Sequence, residues 1–368
     1  MTVPSSRSRP HSHSHSHPPH SPQIDFGRAF LTVRLLSDRL SFRLDGRALI
    51  LMLVLLGLTA ALAALSLLSG KYPIALDQVL WALAGEGEDM VRMIVVEWRL
   101  PRVALAVLLG AALGTSGAIF QSLTRNPLGS PDIIGFSAGS YTGALMVMLL
   151  FSGGTFQTAL GALAGGIVTA IAVYLLAWRQ GVQGFRLIIV GIGVAAMLSA
   201  LNAWMIREAD LPVAMAAAIW GAGSLNGLGV EQLFPVVLVL SILLPLTLLL
   251  SRPMRQLELG EDAARASGVD AGRTRLLLMV LGVALTALVT ASAGPVSFIA
   301  LCAPQIARRM TRSAGVALLP SALTGGLLLV AADWAAQHAL GVQLPVGVMT
   351  VSIGGVYFLW LLIREGRK

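Results

Sequence analysis

The chain has 368 residues, 56% hydrophobic and 12% charged, with a mean hydropathy of +0.79; that balance excludes an ordinary soluble domain and makes lipid the solvent for most of it. Its formal net charge of +8 reads as topology and contact with anionic headgroups, with no warrant for nucleic-acid binding. The lone cysteine, Cys302, cannot form an internal disulfide and reads as a small buried apolar residue.

Residues 1–46 are rich in Ser, Pro, His and Arg and too poor in apolar groups for a core, so they are expected to be a disordered cytoplasmic tail. His11, His13, His15, His17 and His20 alternate within it, a spacing a divalent metal could use, though a low-complexity tail is the favoured reading. The remainder, 47–368, opens with ALILMLVLLGLTAALAALSLLS at 48–69. As a helix this run extends roughly 33 Å, enough for ~30 Å of hydrocarbon. A cleavable secretory signal is the competing reading, favoured by Ala60, Ala61 and Ala63 and opposed by the polar residues ahead of the run.

Further spans are expected near 103–121, 133–152, 157–178, 186–206, 231–250, 276–293, 296–310, 316–340 and 346–363, giving about ten. Gly294-Pro295 could instead mark one broken helix and a count of nine. Between the first two spans, 70–98 offers Trp81 and Trp98 as interfacial anchors, with Glu86, Glu88 and Asp89 toward water. Gly110, Gly114 and Gly117, and likewise Gly161 and Gly165, suit close helix packing. The short apolar stretch 211–225 is too short and Gly-rich to cross and reads as a re-entrant or interfacial helix. If the first of ten spans begins inside, 21 of the 26 Lys and Arg lie in the cytoplasm, which supports both the number and the direction.

A transporter needs an energy source, yet the chain has no GxxxxGK followed by Ser or Thr, and its lysines are Lys71 and Lys368. Asp333 is the clear acid within a span; it fits a structural role better than ion coupling, although an ion-coupled secondary transporter remains the alternative of a different class. The polar segment 252–275 lies between two apolar runs. There Leu259, Ala263 and Ala266 recur at helical spacing, Gly268 suits a left-handed cap and Asp270 suits the N-cap of a second short helix. Two stubby helices joined by a sharp turn would present an apolar knob to another protein.

LGEDAARASGV at 259–269 resembles the coupling-helix signature of the iron-siderophore and cobalamin permeases of ABC importers. RLPR at 99–102, GAALGTSGAIFQSLTRNPLGSPDIIGFSAG at 110–139, GPVSFIALCAPQIARR at 294–309 and LPVGVMTVSIGGVYFLWLL at 344–362 resemble its other motifs. The resemblance implies an all-α, BtuC-like type II permease with ten transmembrane helices and both termini cytoplasmic, in the bacterial inner membrane. It implies a heterodimer with a homologous permease, two ATPase subunits that carry the ATP and Mg, and a periplasmic siderophore-binding protein. No cofactor, metal or catalytic residue is expected on this chain.

Leu259, Gly260, Glu261, Ala263, Gly268 and Val269 would couple to the ATPase. Arg99 and Arg102 would receive acidic residues of the binding protein, while Gln337 and His338 stand where some relatives place a further basic residue. Trp220, Gly221 and Ser224 resemble a short outer gate, and Asn202 is read either as path-lining or as helix-packing. NPLGSPDIIGF and FRLIIVGIGVAAMLSALNAW point to ferric siderophore, ferric enterobactin in particular, as cargo; haem, cobalamin or another siderophore is the alternative within the family.

Overall fold

A computed structural model describes residues 30–35, 40–132, 134–151, 153–178, 184–313, 315–339 and 341–365. The His-rich stretch and Arg179 lie outside them. The chain divides into Met1–Arg47 and Ala48–Lys368.

In the first unit β1 (Phe30–Leu35) and β2 (Leu40–Asp45) pair antiparallel, with Phe30 opposite Asp45 and Leu35 opposite Leu40. This part of the arm was expected to be disordered. Its two runs, FLTVRL and LSFRLD, alternate with period 2 and carry β-branched and aromatic residues, the pattern of a strand.

The second unit is helical. α1 (Gly46–Leu68) leads through α2 (Leu76–Leu83) and α3 (Asp89–Arg92) into a π-helical stretch, Met93–Arg99, continuous with α4 (Leu100–Thr124). Then follow α5 (Phe136–Leu150), α6 (Thr155–Ala177), α7 (Gly184–Glu208) and α8 (Leu211–Gly221). After them come α9 (Val230–Leu249), α10 (Ser251–Glu258), α11 (Glu261–Ala266), α12 (Ala271–Ala293), α13 (Ile299–Thr311), α14 (Leu318–His338) and α15 (Val346–Glu365). A helix occupies each of the ten expected spans. Among the described residues seven are long and apolar enough to cross unaided, whereas α5 and α13 have 15 and 13 residues.

Both are shortened at their N-termini by backbone that a helix cannot continue through. Gly135 precedes α5 at φ +82° and Phe298 precedes α13 at φ +70°. Gly294, at φ +73°, and Pro295 after it end α12, so the nine-span reading of this region fails. α8 takes the place of the expected non-crossing helix.

α4 is the centre of the bundle, with 78% of an apolar 18-residue stretch within Asp89–Thr124 buried. With no hydrophobic force between helices in lipid, they approach only where side chains are small. Gly110 and Gly114 face Gly325 and Ser321 of α14, and Gly117 faces the Ala300 carbonyl of α13. Gly139 and Gly143 of α5 face Gly161 and Gly165 of α6 in the same manner. Polar groups add direction: Ser116 Oγ donates to the Gly282 carbonyl of α12 at 2.8 Å, and Gln121 Nε2 to the Leu301 carbonyl of α13 at 2.9 Å. The 36-residue run Asp89–Thr124 extends roughly 54 Å, well beyond ~30 Å of hydrocarbon. With Thr124 at one boundary, Arg99 and Arg102 therefore lie at or beyond the other.

Candidate functional site

The knob begins with α10, whose Met254 and Leu257 are buried in the core. Gly260 turns the chain at φ +122°, a value L-residues avoid, and α11 starts at once. At its end Val269 N–H donates to the Ala264 carbonyl and Gly268 N–H to the Arg265 carbonyl, each at 2.9 Å, with Gly268 at φ +81°. This is the Schellman arrangement, and it buries Ala264 under Val269. Asp270 then accepts the Arg273 amide at 3.0 Å.

Gly268 and Asp270 thus do what their sequence context suggests, with one correction. Asp270 caps the long helix α12, not a second stub; the two stubs are α10 and α11. Buried residues continue from Thr274 through Leu278 and Leu281, so the chain needs no further turn before it enters the membrane.

Leu259, at 74% exposed, and the exposed Ala263 and Ala266 share the outer surface of the knob. Their small sizes leave a shallow apolar face beside Gly268. Glu261 sits behind it, paired with Arg265 at 3.4 Å and, more closely, with Arg275, whose side chain is largely buried. Glu258 Oε1 accepts the Val316 amide at 3.4 Å, which joins the knob to the turn before α14. The link between Glu258 and Val316 has no signature in sequence, since the partner is a backbone group 58 residues away.

At the opposite end of the bundle, Arg99 donates from Nη1 to the Leu67 carbonyl at 2.6 Å and from Nη2 to the Tyr72 carbonyl at 2.5 Å. It closes the C-terminal end of α1, and both partners are neutral. Arg102 is engaged differently. Its Nε and Nη2 grip the Asp333 carboxylate at 3.0 and 2.8 Å, and Gln337 Nε2 donates to Asp333 Oδ2 at 2.8 Å. Asp333 therefore has the structural partner favoured by the sequence, and the partner is one of the two arginines singled out for docking.

The residues resembling an outer gate also come together. Trp220 stacks on Tyr141 with ring centroids 6.1 Å apart, and Gly221 lies against the same tyrosine. The Ser224 amide donates to the Ala293 carbonyl at 2.7 Å, and the Gly347 amide to the Gly223 carbonyl at 3.0 Å. The turn after α8 is thereby bonded to the end of α12 and the start of α15. Asn202 is elsewhere: it is buried, its Oδ1 accepts from Thr142 Oγ1 at 2.7 Å and its Nδ2 donates to the Ala138 carbonyl at 3.1 Å. That geometry fits the helix-packing alternative, a clamp between α5 and α7 that engages both the oxygen and the nitrogen of Asn202.

Comparison with known proteins agrees with this architecture along nearly the whole chain. The chain is 51% identical over 323 residues to the ferric enterobactin transport system permease protein FepG of Escherichia coli K12, covering 88% of this chain and 98% of that one. It is 35% identical to the iron(3+)-hydroxamate import system permease protein FhuG of Bacillus subtilis, covering 86% and 98%. A solved structure described as an inward-facing conformation of a metal-chelate type ABC transporter superposes with a TM-score of 0.74 at 26% identity, over 86% of this chain and 99% of that one. Residues 58–364 match the model of the FecCD transport family, a range that takes in the knob, the paired arginines and the turn after α8, and the chain belongs to that family.

Proposed function

We propose that this chain is the membrane-spanning permease subunit of an ABC importer that carries ferric siderophore, ferric enterobactin in particular, into the cytoplasm across the inner membrane. The observation that carries this reading is the 51% identity across 98% of a ferric enterobactin permease. In it, a homologous permease completes the path as a heterodimer and two ATPase subunits bind ATP and Mg. The exposed Leu259, Ala263 and Ala266 face, with Gly260, Glu261, Gly268 and Val269 holding its shape, seats in a groove of the ATPase. Arg99 and Arg102 receive carboxylates of a periplasmic siderophore-binding protein, and Trp220, Gly221 and Ser224 gate the outer mouth. Both termini lie in the cytoplasm, consistent with the excess of basic residues on that side. Closure of the ATPase dimer draws the knobs together and shifts the bundle between outward- and inward-open states.

An ion-coupled carrier acting alone is disfavoured by one specific observation. Asp333 is held bidentate by Arg102, so the acid on which such a carrier would depend is already neutralised by a partner. Uptake of radiolabelled ferric enterobactin in cells lacking their own permease, with ferric hydroxamate as competitor, tests the cargo. Restoration of uptake that unlabelled ferric hydroxamate does not suppress is the expected result. Suppression by the hydroxamate would move the cargo to another siderophore. Uphill transport by the purified chain without ATPase or binding protein would overturn the reading altogether.

A further inference from the structure

Arg102 presents a guanidinium with two distinct edges. The Nε–Nη2 edge is taken by Asp333, in a pair whose side chains are 16% and 4% exposed. Among the described residues no bond is made by Nη1. Asp333 in turn has one oxygen fixed by Gln337, a helical turn further along α14 at Asp333+4. The order of support is therefore Gln337 to Asp333 to Arg102, with both acceptor oxygens of Asp333 directed by donors and the two N–H groups of Arg102 Nη1 left over at the outer end of α4.

A long cationic side chain at a membrane boundary ordinarily samples many rotamers, and each lost on binding costs affinity. A bidentate carboxylate removes that freedom in advance, because guanidinium and carboxylate are planar and match in only a few orientations. Neutral Gln337 is well suited to the outer support. It fixes Asp333 without supplying a second positive charge, so the full carboxylate charge acts on Arg102.

We propose that Asp333, held by Gln337, is a positioning residue for docking: it pins the inner edge of Arg102 so that Nη1 is presented outward to an acidic side chain of the periplasmic binding protein. This rests on the docking role given to Arg102 above. The incoming carboxylate adds at Nη1, and Asp333 is not displaced, since expelling it would leave a buried charge with Gln337 as its remaining partner.

The test is a double-mutant cycle on the assembled transporter in nanodiscs, with affinity for a periplasmic ferric-enterobactin-binding protein read at two salt concentrations. Arg102→Ala is expected to weaken binding by about tenfold or more. Asp333→Ala should also weaken it and the double variant no further than Arg102→Ala, with the salt dependence flattened by loss of the Arg102 charge and not by loss of Asp333 alone. Asp333→Asn keeps a single acceptor for Arg102 and loses the second, guards against misfolding of the alanine variant, and should bind between the parent and Asp333→Ala. If Arg102→Ala weakens binding while Asp333→Ala does not, or the two losses add, the positioning role is overturned and docking at Arg102 stands. If Arg102→Ala binds normally, docking at Arg102 is itself wrong and the positioning role falls with it.

Discussion

Val269 donates its amide to the Ala264 carbonyl at 2.9 Å, closing a six-residue ring around Gly268 at φ +81°. One residue on, Asp270 caps α12, so the ring sets where the knob ends and the spanning helix begins. Gly268→Ala places a Cβ in a left-handed conformation that costs ~1–2 kcal/mol, partly offset by ~0.4–1 kcal/mol from the stiffer unfolded chain. The expected outcome is a small fall in melting temperature in detergent together with a much larger loss of coupled uptake. Equal, small effects on both would show that the shape of the turn matters only for stability.

Glu261 is tied into the knob by its ion pair with Arg275. Its carboxylate is about one-third exposed, while the Arg275 side chain is 15% exposed, so the charge is screened only in part and the pair stabilises by no more than ~1 kcal/mol. Reversing it sets like charges together. Glu261→Arg should reduce copurification of the ATPase, and adding Arg275→Glu should restore a substantial share. Absence of any rescue would indicate that Glu261 contacts the ATPase directly, an outcome the copurification yields would reveal at once.

The crossing of α4 and α14 depends on absent side chains. A Cβ at Gly114 would overlap the Ser321 carbonyl, while one at Gly57 on α1 meets nothing within 4 Å. Gly114→Leu should therefore abolish accumulation of folded protein, by at least ~1–3 kcal/mol and more where the backbones cannot separate. Gly57→Leu, equally apolar and also in a span, should be tolerated. Fluorescence-detected size exclusion of the two variants measures both.

Much of this arrangement is legible in the chain because it rests on local rules. The uncharged run at 48–69 is long enough to be a span on its own account, and Gly268 followed by Asp270 specifies one helix stop and one helix start. The Gly110–Gly114–Gly117 stripe announces a close approach, though not to which helix. What cannot be read is pairing across distance. Nothing local says that Arg102 meets Asp333, 231 residues away, or that Asn202 is spent on Thr142 and Ala138. Boundaries at α5 and α13 also escape hydropathy, since Gly135 and Phe298 break the helix through backbone conformation while the surrounding sequence stays apolar. The pairing β1–β2 was hidden by the composition of the arm as a whole, in which a few alternating residues are outweighed by Ser, Pro and His.

Asp132, in the turn before α5, supplies the pH dependence. Burial pushes its carboxyl above the usual range, and the hydrogen bond donated by Ser137 opposes that shift without cancelling it. A folded-state value above the unfolded one means that the native protein holds the proton over a window in which the unfolded chain has released it. Stability is then greatest below the unfolded value, near 3.8, falls as pH rises through the window, and levels off above the folded value. Asp132→Asn retains an acceptor for Ser137 and has no charge to desolvate. Relative to the variant, the parent should lose melting temperature steadily as pH rises from about 4 toward neutrality. A constant difference across that range would show that the Asp132 carboxyl titrates alike in the folded and unfolded chain, and that its burial carries no charge penalty.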